Sequence, residues 1–198
     1  MQPSEDLIGL IFFFVMLALW IVFSLIFGLR KKPPKTAEQA RDPKSLSGLL
    51  LQSVGYALAW TIPRRNFAPI LPMPKWAEIA LTVAALVLAA LSLWLMWRAI
   101  IVLGKQWAYV ARIVEGHTLI TEGPYSLVRN PIYTGMFGML VATGLAASRW
   151  YTLIAAILFF LCGTWVRVRR EENLLRQSFG AEFEVYRSRV PALVPWLF

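Results

Sequence analysis

The sequence of 198 residues contains one cysteine and one histidine, and these scarcities exclude several kinds of site. Cys162 is alone and lies within an apolar run, so neither a disulfide framework nor a thiolate metal site can be built. We expect it to be a small buried hydrophobic residue rather than a nucleophile. Because His117 has no second histidine beside it, we predict no metal site. Internal repeats and low-complexity tracts are absent as well.

Acidic residues are also few, 11 against 20 Lys and Arg, which gives a formal net charge of +9. In a soluble protein this charge would suggest nucleic acid. However, 58% of the residues are hydrophobic and the mean hydropathy is +0.59, as is typical of membrane proteins. The basic residues flank apolar runs, where anionic headgroups are the expected partners. We therefore expect membrane lipids as partners, no nucleic acid and no obligate protein partner.

Five apolar runs predict an all-α integral membrane protein that forms one membrane domain over residues 1–198. The runs are residues 7–29, 46–62, 76–103, 131–147 and 150–166. A helix needs roughly 20 apolar residues to cross a bilayer, so the second run, which contains Gln52, could be re-entrant. Only Ser and Arg separate the last two runs, which predicts a tight helical hairpin. We divide the domain into three N-terminal spans, residues 1–103, and a C-terminal region, residues 104–198.

The distribution of basic residues predicts the orientation of the chain. The segments after the first run, before the fourth and after the fifth hold fifteen of the twenty Lys and Arg, which marks them as cytoplasmic. The N-terminus is therefore expected outside and the C-terminus inside. Apolar residues in the tail recur at steps of three or four, which predicts a cytoplasmic amphipathic helix that Gly180 could interrupt. These residues are Leu175, Phe179, Phe183, Tyr186 and Val190.

Special residues crowd into the segment "GHTLITEGPYSLVRNPIYTG", residues 116–135. Asn130 and Pro131 predict a helix start, because Asn is a favoured N-cap and Pro suits the first helical position. The positive end of that helix could receive a carboxylate, and Arg129 would add a full charge. An ordinary capped helix with a snorkelling Arg is an equal alternative. His117 could likewise be a structural hydrogen-bonding residue.

A second charged motif, "RVRREENLLRQSFG" at residues 167–180, directly follows the fifth run. Arg167 and Glu171 are four residues apart and so share a helix face. Such pairs are commonly solvated, and Tyr125 and Tyr133 could be ordinary interfacial residues. Both motifs, however, leave the same hairpin on its cytoplasmic side. We therefore expect them to meet around one pocket at the level of the membrane.

Together the two motifs resemble the isoprenylcysteine carboxyl methyltransferase family, as in a short, prokaryotic-type member; that family is related to the phospholipid N-methyltransferases. The resemblance covers residue 104 onward. It implies a membrane enzyme with S-adenosylmethionine as its cofactor and a lipophilic small molecule as its acceptor. We expect a prenylcysteine-like carboxylate that becomes a methyl ester, because Arg167 could grip a carboxylate through two parallel hydrogen bonds.

The resemblance also assigns roles by position. It implies catalytic roles for Arg167, Glu171 and Arg129, with Arg167 holding the substrate. It implies cofactor contacts from His117, Thr118, Leu119, Ile120, Gly123, Tyr125, Asn130, Pro131, Ile132, Tyr133 and Glu171. Asn130 departs from the family pattern, which usually has His at this position. Glu172, the second of the paired acids, could serve as a base.

Three other functions fit parts of the sequence. A phospholipid amine N-methyltransferase would need a base or a proton path for its ammonium acceptor. An NADPH-dependent sterol-type reductase shares part of the signature, although such enzymes are longer and have more spans. A non-catalytic membrane protein could keep the pocket only to bind lipid. Binding of S-adenosylhomocysteine or NADPH would separate these functions.

Overall fold

A computed structural model describes residues 3–28, 38–61, 70–106, 111–114, 116 and 118–193. Six helices dominate this part of the chain, which confirms the predicted helical class. They are α1 (Pro3–Gly28), α2 (Ser45–Thr61), α3 (Lys75–Leu103), α4 (Pro131–Ala147), α5 (Trp150–Phe179) and α6 (Ala181–Arg189). Short 3₁₀ turns at Gly104–Gln106 and Gly123–Ser126 lie between α3 and α4.

A two-stranded antiparallel ribbon, which the sequence did not predict, joins two of the connections. Strand β1 (Glu38–Asp42) pairs with strand β2 (Ala111–Val114), so that Asp42 lies opposite Ala111. The ribbon therefore brings the connection between α1 and α2 beside the connection that precedes the first motif. Asp42 also reaches α5, because its Oδ2 atom lies 3.4 Å from Nη1 of Arg170.

Three helices of the described chain are long and apolar enough to cross a membrane. They comprise residues Gly9–Gly28, Lys75–Leu103 and Trp150–Phe179. The fourth predicted span, α4, is a shorter apolar helix of 17 residues, and α2 has the same length. Membrane spanning is thus supported for α1, α3 and α5, and the count of five spans stays a prediction.

The expectation that Cys162 is buried is wrong, because its side chain is exposed on α5. Leu158 and Trp165, one turn to either side, are exposed as well, at 59% and 57% of the residue. This face of α5 points away from the bundle, whereas Gly163 and Thr164 point inward. Apolar character alone did not reveal which residues of α5 face the other helices.

Helix α2 packs closely on α5 because both present glycine at the contact. A Cβ atom added to Gly163 would lie 2.5 Å from the Gly48 carbonyl oxygen and 2.8 Å from the Gln52 amide nitrogen. The Gln52 side chain is buried in this contact, and its Nε2 atom donates to Oγ1 of Thr164 at 2.9 Å. The polar residue within the second apolar run thus fixes the position of α2 against α5.

Helix α4 is central and has neighbours on several sides. A Cβ added to Gly135 would lie 2.7 Å from the Ser92 carbonyl oxygen, so α3 approaches the backbone of α4. Tyr56 of α2 donates to the Met136 carbonyl oxygen at 2.7 Å, and Trp20 Nε1 of α1 donates to Thr143 Oγ1 at 3.0 Å. Contacts from α1, α2 and α3 therefore hold α4 in place within the bundle.

Candidate functional site

The site forms because α5 is much longer than its antiparallel partner α4. Helix α5 has 30 residues and α4 has 17, so α5 does not end with the apolar run at Val166. Its last 13 residues continue beyond the start of α4 for about 20 Å at 1.5 Å per residue. This extension carries the charged motif and places Arg167 beside the first turn of α4.

Tyr133, Arg167 and Glu171 form one hydrogen-bonded cluster across α4 and α5. Arg167 Nε donates to the Tyr133 hydroxyl at 2.7 Å, and that hydroxyl donates to Glu171 Oε1 at 2.5 Å. Arg167 Nη2 lies 3.5 Å from the same Glu171 oxygen. The Arg167 side chain is only 5% exposed, whereas that of Glu171 is 29% exposed. The alternative of a solvated surface pair is therefore wrong for Arg167.

The burial of Arg167 depends on α2. A Cβ added to Gly48 would lie 2.6 Å from Arg167 Cγ, so the backbone of α2 packs against the stem of this side chain. A buried guanidinium is tolerated only where hydrogen-bonding and charged partners compensate for lost hydration. Tyr133 and Glu171 supply such partners, and the guanidinium carbon also lies 5.3 Å from the centre of the Tyr133 ring. The cluster combines a buried cation with a partly accessible carboxylate.

Arg129 and Glu172 form a second cluster on the adjacent side of α4. Arg129 Nε donates to Glu172 Oε1 at 2.9 Å, and Arg187 Nε lies 3.5 Å from Glu172 Oε2. The two consecutive acids of α5 thus accept hydrogen bonds from different residues. Glu171 accepts from Tyr133, and Glu172 accepts from Arg129, four residues earlier in the chain. Both Glu172 oxygens are engaged by arginines, which opposes the role of general base.

Asn130 starts α4 as predicted, but not through the expected interaction. It occupies the N-cap position without a side-chain capping hydrogen bond. Its Nδ2 atom and its backbone nitrogen both donate to the Ala192 carbonyl oxygen, each at 3.0 Å. The predicted N-cap position is confirmed, but the side chain bonds to the C-terminal tail, which lies across this helix end, instead of capping the helix. The Arg129 amide likewise donates to the Pro191 carbonyl oxygen, at 2.8 Å.

The first part of the implied cofactor motif lies at the end of α3. The Thr118 amide donates to Gln106 Oε1 at 3.1 Å, and Gln106 Nε2 donates to Thr118 Oγ1 at 3.0 Å. Gln106 was missed from the sequence, since a single glutamine after an apolar run belongs to no recognisable pattern. Gly123 has a φ of 59° beside Val102 of α3, a conformation that favours glycine.

The other residues of that motif differ in how well they are enclosed. Leu119 and Ile120 are half-buried, and so is Ile132 in the first turn of α4. Pro131 is fully buried and occupies the first position of α4, where its missing N–H and fixed φ suit a helix start. His117 lies outside the described residues.

Tyr125 lies between the first part of the cofactor motif, residues 117–123, and the second part, residues 129–133, and it is hydrogen-bonded to α6. Its side chain is buried, and its carbonyl oxygen accepts a hydrogen bond of 2.6 Å from the Tyr186 hydroxyl. Burial raises the pKa of Tyr186 to about 12, above the usual value near 10. The hydroxyl therefore remains a donor at neutral pH, and the bond would be lost only as the pH rises through that value. Gly180, with a φ of 50°, ends α5 and lets α6 turn back toward Tyr125.

The structure therefore brings together five of the predicted residues: Arg129, Asn130, Tyr133, Arg167 and Glu171. Thr118 and Gly123 lie at the end of α3, and Tyr125 is joined to this group through α6. Chemically, the buried guanidinium can bind a carboxylate, and the accessible carboxylate of Glu171 can bind a cation. Both groups meet at one end of a bundle whose outer surface is apolar.

Comparison with known proteins gives a match to the family described as phospholipid methyltransferase, over residues 80–182. The matched range begins in α3 and ends in α6. It includes every residue of the two clusters described above except Arg187 and the C-terminal tail.

Several curated proteins are also similar to this chain. Protein-S-isoprenylcysteine O-methyltransferase B of Arabidopsis thaliana is 33% identical over 105 residues, covering 50% of this chain and 51% of the relative. The Xenopus laevis protein-S-isoprenylcysteine O-methyltransferase is 28% identical over 194 residues, covering 90% and 64%. The cobalt-zinc-cadmium resistance protein CzcN of Cupriavidus metallidurans is 31% identical over 122 residues, covering 61% and 51%. The chain spans about half the length of the first relative.

Proposed function

Because this chain belongs to the phospholipid methyltransferase family, we propose that it is a membrane methyltransferase for a lipid-like carboxylic acid. The methyl donor is S-adenosylmethionine, the acceptor is a prenylcysteine-like carboxylate, and the product is a methyl ester. The observation that carries this proposal is the buried Arg167, held by Tyr133 and Glu171 beside the first turn of α4. Relatives named isoprenylcysteine O-methyltransferases support the choice of acceptor.

The residues around Glu171 fit a cationic donor. Its carboxylate is partly accessible, while the neighbouring guanidinium of Arg167 is enclosed. S-adenosylmethionine supplies an electrophilic methyl group on a positively charged sulfur. Glu171 and Tyr133 would hold its cationic part, since carboxylates and aromatic faces both attract cations. The half-buried side chains of Leu119 and Ile120 would pack on its flat ring.

Arg167 suits a carboxylate acceptor. A carboxylate is already a nucleophile at neutral pH, so the protein has only to position it within about 3–3.5 Å of the methyl group. A planar guanidinium positions a carboxylate better than an ammonium, because its N–H groups match both oxygens. Tyr133 and Glu171 fix the plane of Arg167 before the acceptor arrives. The burial of Arg167 strengthens the interaction, because it is less screened by water.

A phospholipid amine is the second candidate acceptor, and the description of the matched family favours it. Its ammonium would have to lose a proton before it could attack the methyl group. Glu172, the acid that could take this proton, has both oxygens engaged by Arg129 and Arg187. The arrangement of charges therefore favours the carboxylate.

We place the site on the cytoplasmic side of the membrane. Cysteines introduced at positions 35, 117 and 182, in a Cys162→Ala background, should all react only with reagents that reach the cytoplasm. Lys35 and His117 lie outside the described residues, whereas Glu182 lies on α6. Labelling of position 117 from the outside would contradict this topology and the location of the donor site.

Ligand binding to the purified protein tests the proposed class of enzyme. We expect S-adenosylhomocysteine, the demethylated donor, to bind in calorimetry and to be displaced by S-adenosylmethionine but not by NADPH. A Glu171→Gln variant should bind S-adenosylmethionine about tenfold or more weakly, because the charge-assisted contact with its cationic part would be lost. Binding of NADPH in place of S-adenosylhomocysteine would instead support a reductase. Binding of neither ligand would support a non-catalytic protein.

A further inference from the structure

The C-terminal segment 186–193 lies across the start of α4 and is attached to it at several points. The Arg129 amide donates to the Pro191 carbonyl oxygen at 2.8 Å, and Asn130 donates twice to the Ala192 carbonyl oxygen at 3.0 Å. Thr134 Oγ1 donates to the Leu193 carbonyl oxygen at 2.5 Å. At its other end, the segment is attached to Tyr125 by the Tyr186 hydroxyl. We call residues 186–193 the strap.

The attachment uses the backbone of the strap more than its side chains. Val190 is extended, with a φ of −118° and a ψ of 127°, and the following Pro191 cannot continue a helix. The extended chain presents successive carbonyl oxygens, and three of them accept hydrogen bonds from α4 or the two residues before it. All the partners of these carbonyls lie between Arg129 and Thr134, within the second half of the cofactor motif.

Arg129 is the side chain that fastens the strap. Its Nη1 atom donates to the Arg187 carbonyl oxygen at 3.0 Å and also to the Val190 carbonyl oxygen. Its Nε atom donates to Glu172, and the side chain is only 9% exposed. Glu172 thus compensates the buried charge of Arg129 and holds the guanidinium in the orientation that reaches the strap. The next residue on α5, Glu171, belongs to the proposed donor site.

We propose that Arg129 and Glu172 are positioning residues that act through the strap on the donor site. The strap holds Tyr125, Asn130 and the first turn of α4 in the arrangement that binds the donor. This inference rests on the proposed donor site. Loosening the strap should raise the KM for S-adenosylmethionine more than it lowers kcat, with little effect on the KM for the acceptor. Replacing a residue that only stabilised the fold would lower activity without raising the KM for the donor more than the KM for the acceptor.

The Glu172→Gln variant tests the fastening, because it preserves shape and removes the charge opposite Arg129. We expect its affinity for S-adenosylhomocysteine to fall roughly tenfold or more, as for loss of a charge-assisted hydrogen bond. Glu184→Gln is the matched control. Glu184 pairs with Arg176 at 2.5 Å, so it also joins α6 to α5, and with Arg187 at 3.6 Å, but all three side chains are at least 40% exposed. Exposed pairs contribute little, so this control should change affinity less than about twofold.

A truncated chain ending at Arg189 provides a second variant that leaves Arg129 and Glu172 unchanged. It removes the carbonyls of residues 190–193 and should weaken donor binding as Glu172→Gln does, while the bundle remains folded. Affinity within twofold of wild type in both variants would overturn the inference. If both variants lost α-helical structure, Thr134→Val, which removes only one attachment, should still raise the donor KM selectively.

Hydrogen exchange separates a failure of the strap from a failure of the proposed function. The amides of Arg129 and Asn130 donate to the strap, so they should be protected in the wild type and exchange faster in Glu172→Gln. Suppose that the wild type binds no S-adenosylhomocysteine but that these amides exchange faster in Glu172→Gln than in the wild type. The proposed donor is then wrong, and the role of Glu172 in holding the strap against α4 is supported. Unchanged exchange in Glu172→Gln would show that Glu172 does not hold the strap against α4, whether or not the donor binds.

Discussion

Replacing Arg167 with lysine is expected to lower methyl ester formation by about two orders of magnitude or more. Lysine retains the positive charge but loses the planar group that bonds to the Tyr133 hydroxyl and approaches Glu171. Each charge-assisted hydrogen bond contributes about 1.5–3 kcal/mol, which corresponds to roughly a tenfold to hundredfold change. An acceptor carboxylate would lose its bidentate partner at the same time. The assay is transfer of labelled methyl to a prenylcysteine acceptor, counted as base-labile product.

Arg169→Lys is the matched control for this substitution. Arg169 lies two residues along the same helix but is exposed, with its guanidinium carbon 4.3 Å from the centre of the Trp165 ring. It therefore lies on a different face of α5 from the cluster. We expect its activity within about twofold of wild type. Equal activities of the two lysine variants would contradict the assignment of Arg167 as the acceptor-binding residue.

Substituting Gly163 with leucine should strongly destabilise the bundle. The first added atom would lie 2.5 Å from the Gly48 carbonyl oxygen and 2.8 Å from the Gln52 amide nitrogen. Both are backbone atoms of α2, so α2 would have to move away from α5. That movement would break the bond between Gln52 and Thr164 and release the contact of Gly48 with the stem of Arg167. Overpacking alone costs about 1–3 kcal/mol or more, a large part of a total stability of about 5–15 kcal/mol.

Gly28→Leu provides the control for a glycine in an apolar helix. Among the residues that the structure describes, no atom outside its own stretch of helix lies within 4 Å of the position that its Cβ would occupy, so the larger side chain meets no described neighbour. Protein yield and thermal unfolding in detergent should be near wild type for Gly28→Leu and much reduced for Gly163→Leu. A Gly163→Leu protein with wild-type yield and unfolding temperature would show that α2 does not pack on α5 in this manner.

The sequence predicted the helical framework well because apolar runs and breakers are local signals. The helical hairpin and the start of α4 after Asn130 both follow from such signals. The spacing of Arg167 and Glu171 correctly placed both on one face of α5. The two motifs meet because the hairpin returns α5 to the start of α4, which was also expected.

Features that depend on long-range pairing could not be predicted from these signals. Strand β1 is a polar segment that forms a ribbon only because β2 lies beside it in the folded chain. The side chain of Asn130 bonds to Ala192, 62 residues away, instead of capping its own helix. Cys162 was misplaced because its neighbours are apolar on both faces of α5. In a membrane, apolar residues face lipid as well as the core, so hydrophobicity alone does not identify the buried face.

The proposed reaction transfers the methyl group of S-adenosylmethionine to a lipid-like carboxylate. The most direct test incubates the purified protein with labelled S-adenosylmethionine and either a prenylcysteine acceptor or phosphatidylethanolamine. We expect a base-labile methyl ester on the prenylcysteine, with formation abolished by S-adenosylhomocysteine and strongly reduced in Arg167→Lys. Efficient methylation of phosphatidylethanolamine to a base-stable product, unaffected by Arg167→Lys, would contradict it.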